Sequence, residues 1–249
     1  MKYPINDPKS RLIVALDVPD RSAALQYVER LSGRVGFFKL GLEIFTSEGP
    51  RLVEEIRDRG ERIFLDLKLH DIPNTVAGAV RCACRLGVDM LTVHASGGAA
   101  MLRAAVEEAQ QAPNPTLILA VTALTSLSDD DVARLGVGHK TEQWVETLAA
   151  IAHSAGVRGL VASSREISLL RNKFGNEMQL VIPGMRPAGS ATQDQSRTAT
   201  PGEAIRSGAG YIVVGRPILQ AADPAAAADA IVEEIRNAAM KHSGLGNAV

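Results

Sequence analysis

Two acids, a lysine and a histidine, Asp66, Lys68, His70 and Asp71, fall within six consecutive positions directly after the apolar run "RIFL". Side chains alternate along an extended strand, so Asp66 and Lys68 share one face. A lysine beside a carboxylate stays protonated, and an ammonium so placed can bind an anion, stabilise a carbanion or deliver a proton. Asp17 after "LIVAL" and Lys39 in "FFKLG" add a second acid and a second lysine at the ends of other apolar runs. Desolvation offsets most of the Coulomb gain of buried charges, so such an array is rarely kept for stability alone. It fits a site that handles a charged substrate.

A second cluster lies in "GAGYIVVGRPI". Pro217 can open a helix, the free N–H groups of a helix start bind phosphate, and Arg216 beside Gly215 offers a bidentate partner. The segment "PGMRPAGSATQDQSRTATP", residues 183–201, has no helical periodicity and brings Arg186 and Gln195 toward the same edge. A loop of that length inside a compact domain usually has a function. Thr122, Thr125 and Ser126 in "AVTALTS" and His94 in "LTVHA" are further polar residues at run ends. His94 reads as a hydrogen-bonded interior histidine and His70 as a brace for its loop. The sequence contains no HExxH, Walker loop or metal-spaced His/Cys cluster, so a metal ion would need Asp17, Glu43 and Asp66 as ligands. Cys82 and Cys84 read as a buried structural pair of thiols.

The elements that must position these residues are legible from hydrophobic patterning. Short apolar runs begin at residues 11, 36, 62, 89, 116, 158, 178 and 210. Their mostly regular spacing suits a strand plus a crossover helix, and uninterrupted apolar runs suit strands buried on both faces of a parallel sheet. Eight such units in 249 residues describe an α/β protein with a (β/α)8 barrel. A doubly wound sheet would carry a glycine-rich turn after its first strand, where this chain has "DVPDRSA". "RSAALQYVERL" and "SEGPRLVEEIRDRG" each read as one helix, and residues 126–156 as a short helix, a turn and a full helix. The reading is a single domain over 1–249, with 1–10 and 240–249 as terminal extensions and a frayed tail "HSGLGNAV". In such a barrel the catalytic groups sit at the C-terminal ends of the strands, where Asp17, Lys39, Asp66, Lys68, His94, Thr122, Thr125, Ser126 and Arg216 fall.

A formal charge of −1 supplies no basic field to draw the chain to nucleic acid or an anionic membrane. No apolar run approaches membrane-spanning length, and "MKYPINDPKSR" lacks the apolar stretch of a signal peptide, so a cytoplasmic location is expected.

From about residue 11 to 236 the chain resembles the orotidine 5′-phosphate decarboxylase family. The resemblance rests on "VALDVPD", "FFKLGLE", "DLKLHDIPNT", "VHASGG", "AVTALTS", "VIPGMRP", "DQSRTATP" and "YIVVGRPI", in the family's order. The D-x-K-x-x-D core is shared with related sugar-phosphate decarboxylases and synthases; "HDIPNT" with "LTS", "PGMRP" and the downstream Gln195 is more specific. The resemblance implies conversion of orotidine 5′-monophosphate to UMP and carbon dioxide, the last step of UMP synthesis, with no cofactor and no metal. It implies a catalytic array of Lys39, Asp66, Lys68 and Asp71, with Lys68 as proton donor and Asp66 beside the leaving carboxylate. Lys39 would hold Asp66 and a ribose hydroxyl, and Asp17, Asp71 and Thr75 would engage the ribose. Thr125 and Ser126 would face the pyrimidine, Ile72 and Pro183 would line the site, and Arg186, Gln195, Gly215 and Arg216 would take the phosphate. It also implies a homodimer in which Asp71 reaches the neighbouring subunit's site, with neither nucleic acid nor membrane as a partner.

Three other readings stay open on the residues. One is a metal-dependent sugar-phosphate decarboxylase or aldolase on the same barrel, and another a Schiff-base aldolase using Lys39 or Lys68. The third is a phosphate-ligand binding protein without activity.

Overall fold

Each of the eight apolar runs forms a strand: β1 Leu12–Ala15, β2 Phe37–Leu40, β3 Ile63–Leu69, β4 Met90–His94, β5 Leu117–Val121, β6 Gly159–Val161, β7 Gln179–Ile182 and β8 Tyr211–Val214. In the computed structural model, which describes residues 7–186 and 199–243, these strands hydrogen-bond in the closed order β1 to β8. The fold is therefore an α/β (β/α)8 barrel. The tail residues 244–249 and the middle of the 183–200 loop, 187–198, lie outside the described residues. Among the described residues no helix is long and apolar enough to cross a membrane.

The chain divides into two compact units, Met1–Phe64 with Ile182–Val249, and Leu65–Val181. In the first, β1 pairs in parallel with β2, placing Ala15 opposite Lys39, and with β8, placing Val14 opposite Val214. Every β1 residue is buried, which is why its sequence is apolar without alternation. The helix Arg21–Leu31 starts where the Asp20 carboxylate accepts from the Ala23 N–H at 2.9 Å, and it buries Ala24, Val28 and Leu31. Burying each valine or leucine of that stripe contributes about 1.5–3 kcal/mol.

In the second unit β4 pairs with β5, β5 with β6 and β6 with β7, all in parallel. The helix Pro73–Arg85 follows β3 and buries Val76, Val80, Ala83 and Cys84. The interval between β5 and β6 holds the expected short helix, Asp129–Arg134, and full helix, Thr141–Ser154. A reciprocal cap starts the short one, with the Ser128 hydroxyl accepting from the Asp131 N–H and the Asp131 carboxylate accepting from the Ser128 N–H.

Two sequence expectations are corrected. The segment Ser47–Gly60 is not one helix: the helix Leu42–Glu48 ends at Gly49, whose φ of 65° breaks the turn, and Pro50 then opens the helix Pro50–Asp58. The cysteines are not both buried. Two positions apart on a helix they point in different directions, so Cys84 is buried while Cys82 is exposed, its sulfur 3.0 Å from Arg85 Nη2. Burial raises the Cys84 thiol pKa.

Candidate active site

Asp17 and Lys39 meet at the C-terminal ends of β1 and β2. Leu16 still pairs with β2 through its N–H to the Lys39 carbonyl at 2.9 Å, and beyond that bond the chain leaves the sheet at Asp17. The Lys39 ammonium lies 3.3 Å from Asp17 Oδ1, the lysine side chain 11% exposed and the aspartate 59% exposed. The lysine stem is thus covered while the carboxylate faces water. A Cβ on Gly41 would sit 3.1 Å from Lys39 Nζ and 3.6 Å from Asp17 Oδ1, so the missing side chain at 41 leaves room for the pair.

Gly215 follows β8, and a Cβ there would lie 3.5 Å from Asp17 Oδ2, so the proposed phosphate turn passes close to that carboxylate. The helix that Pro217 opens is a single turn, Arg216–Leu219, and Arg216 is exposed. A macrodipole needs length, which leaves the guanidinium as the main positive element of the turn. Pro183 and Arg186, which follow β7, are each half-buried. Gln195 lies outside the described residues.

In the second unit, Lys68 Nζ lies 2.9 Å from Asp66 Oδ2, with side chains 30% and 13% exposed. The strand alternation predicts this meeting, but the route to it differs from a regular pleat. Lys68 has φ 52°, and it is the one non-glycine residue with positive φ among the described residues. The left-handed region is disfavoured for a residue with a long side chain, and strain of this kind concentrates at functional sites.

Thr92, on β4, was missed by sequence reasoning. Fully buried, it donates its hydroxyl to Asp66 Oδ1 at 2.9 Å and accepts the Lys68 backbone N–H at 2.9 Å. Its signal was present in "MLTVH": Met90, Thr92 and His94 alternate onto one face, and a hydroxyl inside an apolar run needs a polar partner. His94 is half-buried, with its ring centroid 5.4 Å from that of the exposed His70. Burial first, and then the neighbouring His70 and Lys68, lower the His94 pKa, while Asp66 opposes the shift. A neutral imidazole beside the charged pair follows.

The stretch from His70 to Thr75 is exposed throughout, including the apolar side chain of Ile72 at 67%. Asp71 Oδ1 accepts from the Ile72 N–H at 2.6 Å, and Pro73 opens the helix Pro73–Arg85. Thr125 and Ser126 are exposed in the turn after β5, whereas Thr122 is buried and donates to the Val161 carbonyl at 3.2 Å. Among the described residues no three His, Cys, Asp or Glu side chains converge as metal ligands would.

The family model described as "Orotidine 5'-phosphate decarboxylase / HUMPS family" matches residues 10–231. The orotidine 5′-phosphate decarboxylase of Moorella thermoacetica is 53% identical over 233 residues, covering 91% of this chain and 92% of that protein. That of Syntrophotalea carbinolica is 48% identical, covering 92% and 96%. Among solved structures, the orotidine 5′-phosphate decarboxylase from Lactobacillus acidophilus superposes with a TM-score of 0.80 at 36% identity, covering 90% of this chain and 98% of that one. With the Asp66–Lys68 pair in place on its strand and the match running through nearly the whole barrel, this chain belongs to the orotidine 5′-phosphate decarboxylase / HUMPS family.

Proposed function

We propose that this chain decarboxylates orotidine 5′-monophosphate to UMP and carbon dioxide without a cofactor, in pyrimidine synthesis. The observation that carries this reading is the Lys68–Asp66 contact at 2.9 Å, built on a strained strand end in a chain of this family. The bond between C6 of the pyrimidine and its carboxylate breaks, carbon dioxide leaves, and the electron pair stays on C6. That pair is poorly delocalised, so a fixed ammonium stabilises it and then supplies the proton. Lys68 fills that role, its proton passing from Nζ to C6 and being replaced from water. Asp66 lies beside the leaving carboxylate and holds the ammonium in place.

The remaining assignments belong to the same proposal. Lys39 and Asp17, paired at 3.3 Å, engage the ribose with Thr75. Thr125 and Ser126 face the ring, while Ile72 and Pro183 line the site. Arg186, Gln195, Gly215 and Arg216 take the phosphate. Substrate and product both carry a phosphate charge that a bilayer excludes, which supports placing the reaction in the cytoplasm.

An ultraviolet assay of orotate absorbance, run with excess EDTA, tests the function. Full loss of absorbance is expected. Activity that disappears with the chelator would favour the metal-dependent sugar-phosphate chemistry, and UMP binding without turnover would reduce the chain to a binding protein.

A homodimer with shared sites completes the proposal. Its support is the exposed His70–Thr75 stretch, where an isoleucine stands in water beside Asp71. Mixing inactive Lys68→Ala and Asp71→Ala subunits should restore about a quarter of wild-type activity, since half of randomly paired dimers would hold one intact site. No recovery after confirmed subunit exchange rules out sharing.

A further inference from the structure

One buried hydroxyl meets both members of the ion pair. Near the end of β3, Lys68 adopts φ 52°, and its N–H bonds to Thr92 Oγ1 at 2.9 Å. An N–H turned inward without an acceptor would be strongly unfavourable. A backbone N–H can only donate, so the threonine oxygen accepts there and directs its single proton to Asp66 Oδ1, also at 2.9 Å. The direction of both bonds is thereby fixed. Oδ1 is held by the hydroxyl, and Oδ2 is the oxygen presented to Lys68 Nζ at 2.9 Å. Thr92 therefore pins the root of the lysine side chain and the orientation of the carboxylate that steadies its tip.

We infer that Thr92 is a positioning residue for proton delivery, acting through Lys68 and Asp66 without touching the substrate. The inference rests on the reading of Lys68 as proton donor. Thr92 is fully buried, so removing its hydroxyl should leave nucleotide binding in place and lower the chemical step. Misplacement of a reacting group by about 1 Å lowers rates by about 10²-fold.

Two comparisons isolate the hydroxyl: wild type against Thr92→Val, which keeps the branched shape, and Thr92→Ser against Thr92→Ala, which both lack the methyl group. In each, kcat on orotidine 5′-monophosphate should be about 10²-fold higher in the hydroxyl-bearing protein, with KM and UMP affinity within about threefold. Thermal melts establish which variants are folded. Equal kcat within either folded pair overturns the inference, and so does a parallel loss of UMP binding. Apolar variants that cannot fold at all would make the hydroxyl a determinant of the fold and equally overturn it. A wild-type protein that fails to decarboxylate in the same assay would instead refute the proposed function.

Discussion

Alanine in place of Lys68 is expected to lower turnover of orotidine 5′-monophosphate by about 10⁴-fold or more while UMP still binds. In the proposed mechanism the substitution removes two contributions: the positive charge that stabilises the electron pair at C6, and the proton that quenches it. Lys68→Arg separates them, since a guanidinium keeps the charge but does not release a proton in this pH range. Both variants should be inactive in a steady-state assay, with UMP affinity measured by calorimetry in parallel. Neither is expected to collapse the fold, because the Lys68 side chain is 30% exposed and Asp66 keeps its bond to the Thr92 hydroxyl. An alanine variant with appreciable turnover would remove Lys68 from the role of proton donor.

Arg216→Ala should lower kcat/KM for orotidine 5′-monophosphate by about 10²- to 10³-fold, the range expected when a charge-assisted contact to phosphate is lost. The phosphate lies far from the reacting carbon, so part of the loss should appear in kcat as remote binding energy no longer supports the closed site. Orotidine, which lacks the phosphate, provides the control. Wild type and variant should convert it at equal, low rates. If the variant were impaired equally on both substrates, Arg216 would be acting on the barrel rather than on the phosphate. Gly215 cannot substitute for it, because the helix that begins there is one turn long.

Strand positions were the most legible part of the molecule. In a parallel barrel both faces of a strand are buried, and an uninterrupted run such as "LIVA" has few other places to go. The split between Glu48 and Pro50 was harder to see: the Gly49-Pro50 pair signals a break, but the apolar spacing continues across it, and the positive φ at Gly49 decides between the two. Among the candidate residues, Asp17, Lys39, Asp66 and Lys68 were readable because charged residues at the ends of buried strands need a reason to be there. Thr92 was not singled out. Threonine is at home in strands, and its importance comes from two bonds to residues about two dozen positions earlier in the chain, a relation only the register of β3 beside β4 creates. The backbone of Lys68 was equally hidden, since propensity favours an extended lysine and tertiary bonding overrides it.

A left-handed backbone at a residue other than glycine is disfavoured by about 1–3 kcal/mol, and here it falls on the residue assigned to the chemistry. Glycine would relieve that strain and end the activity. With Lys68 as the proposed proton donor, folding stability and turnover make opposite demands on position 68. Laboratory evolution of this chain for heat resistance alone would drift toward losing the lysine, and only a selection that scores product in every round would retain it.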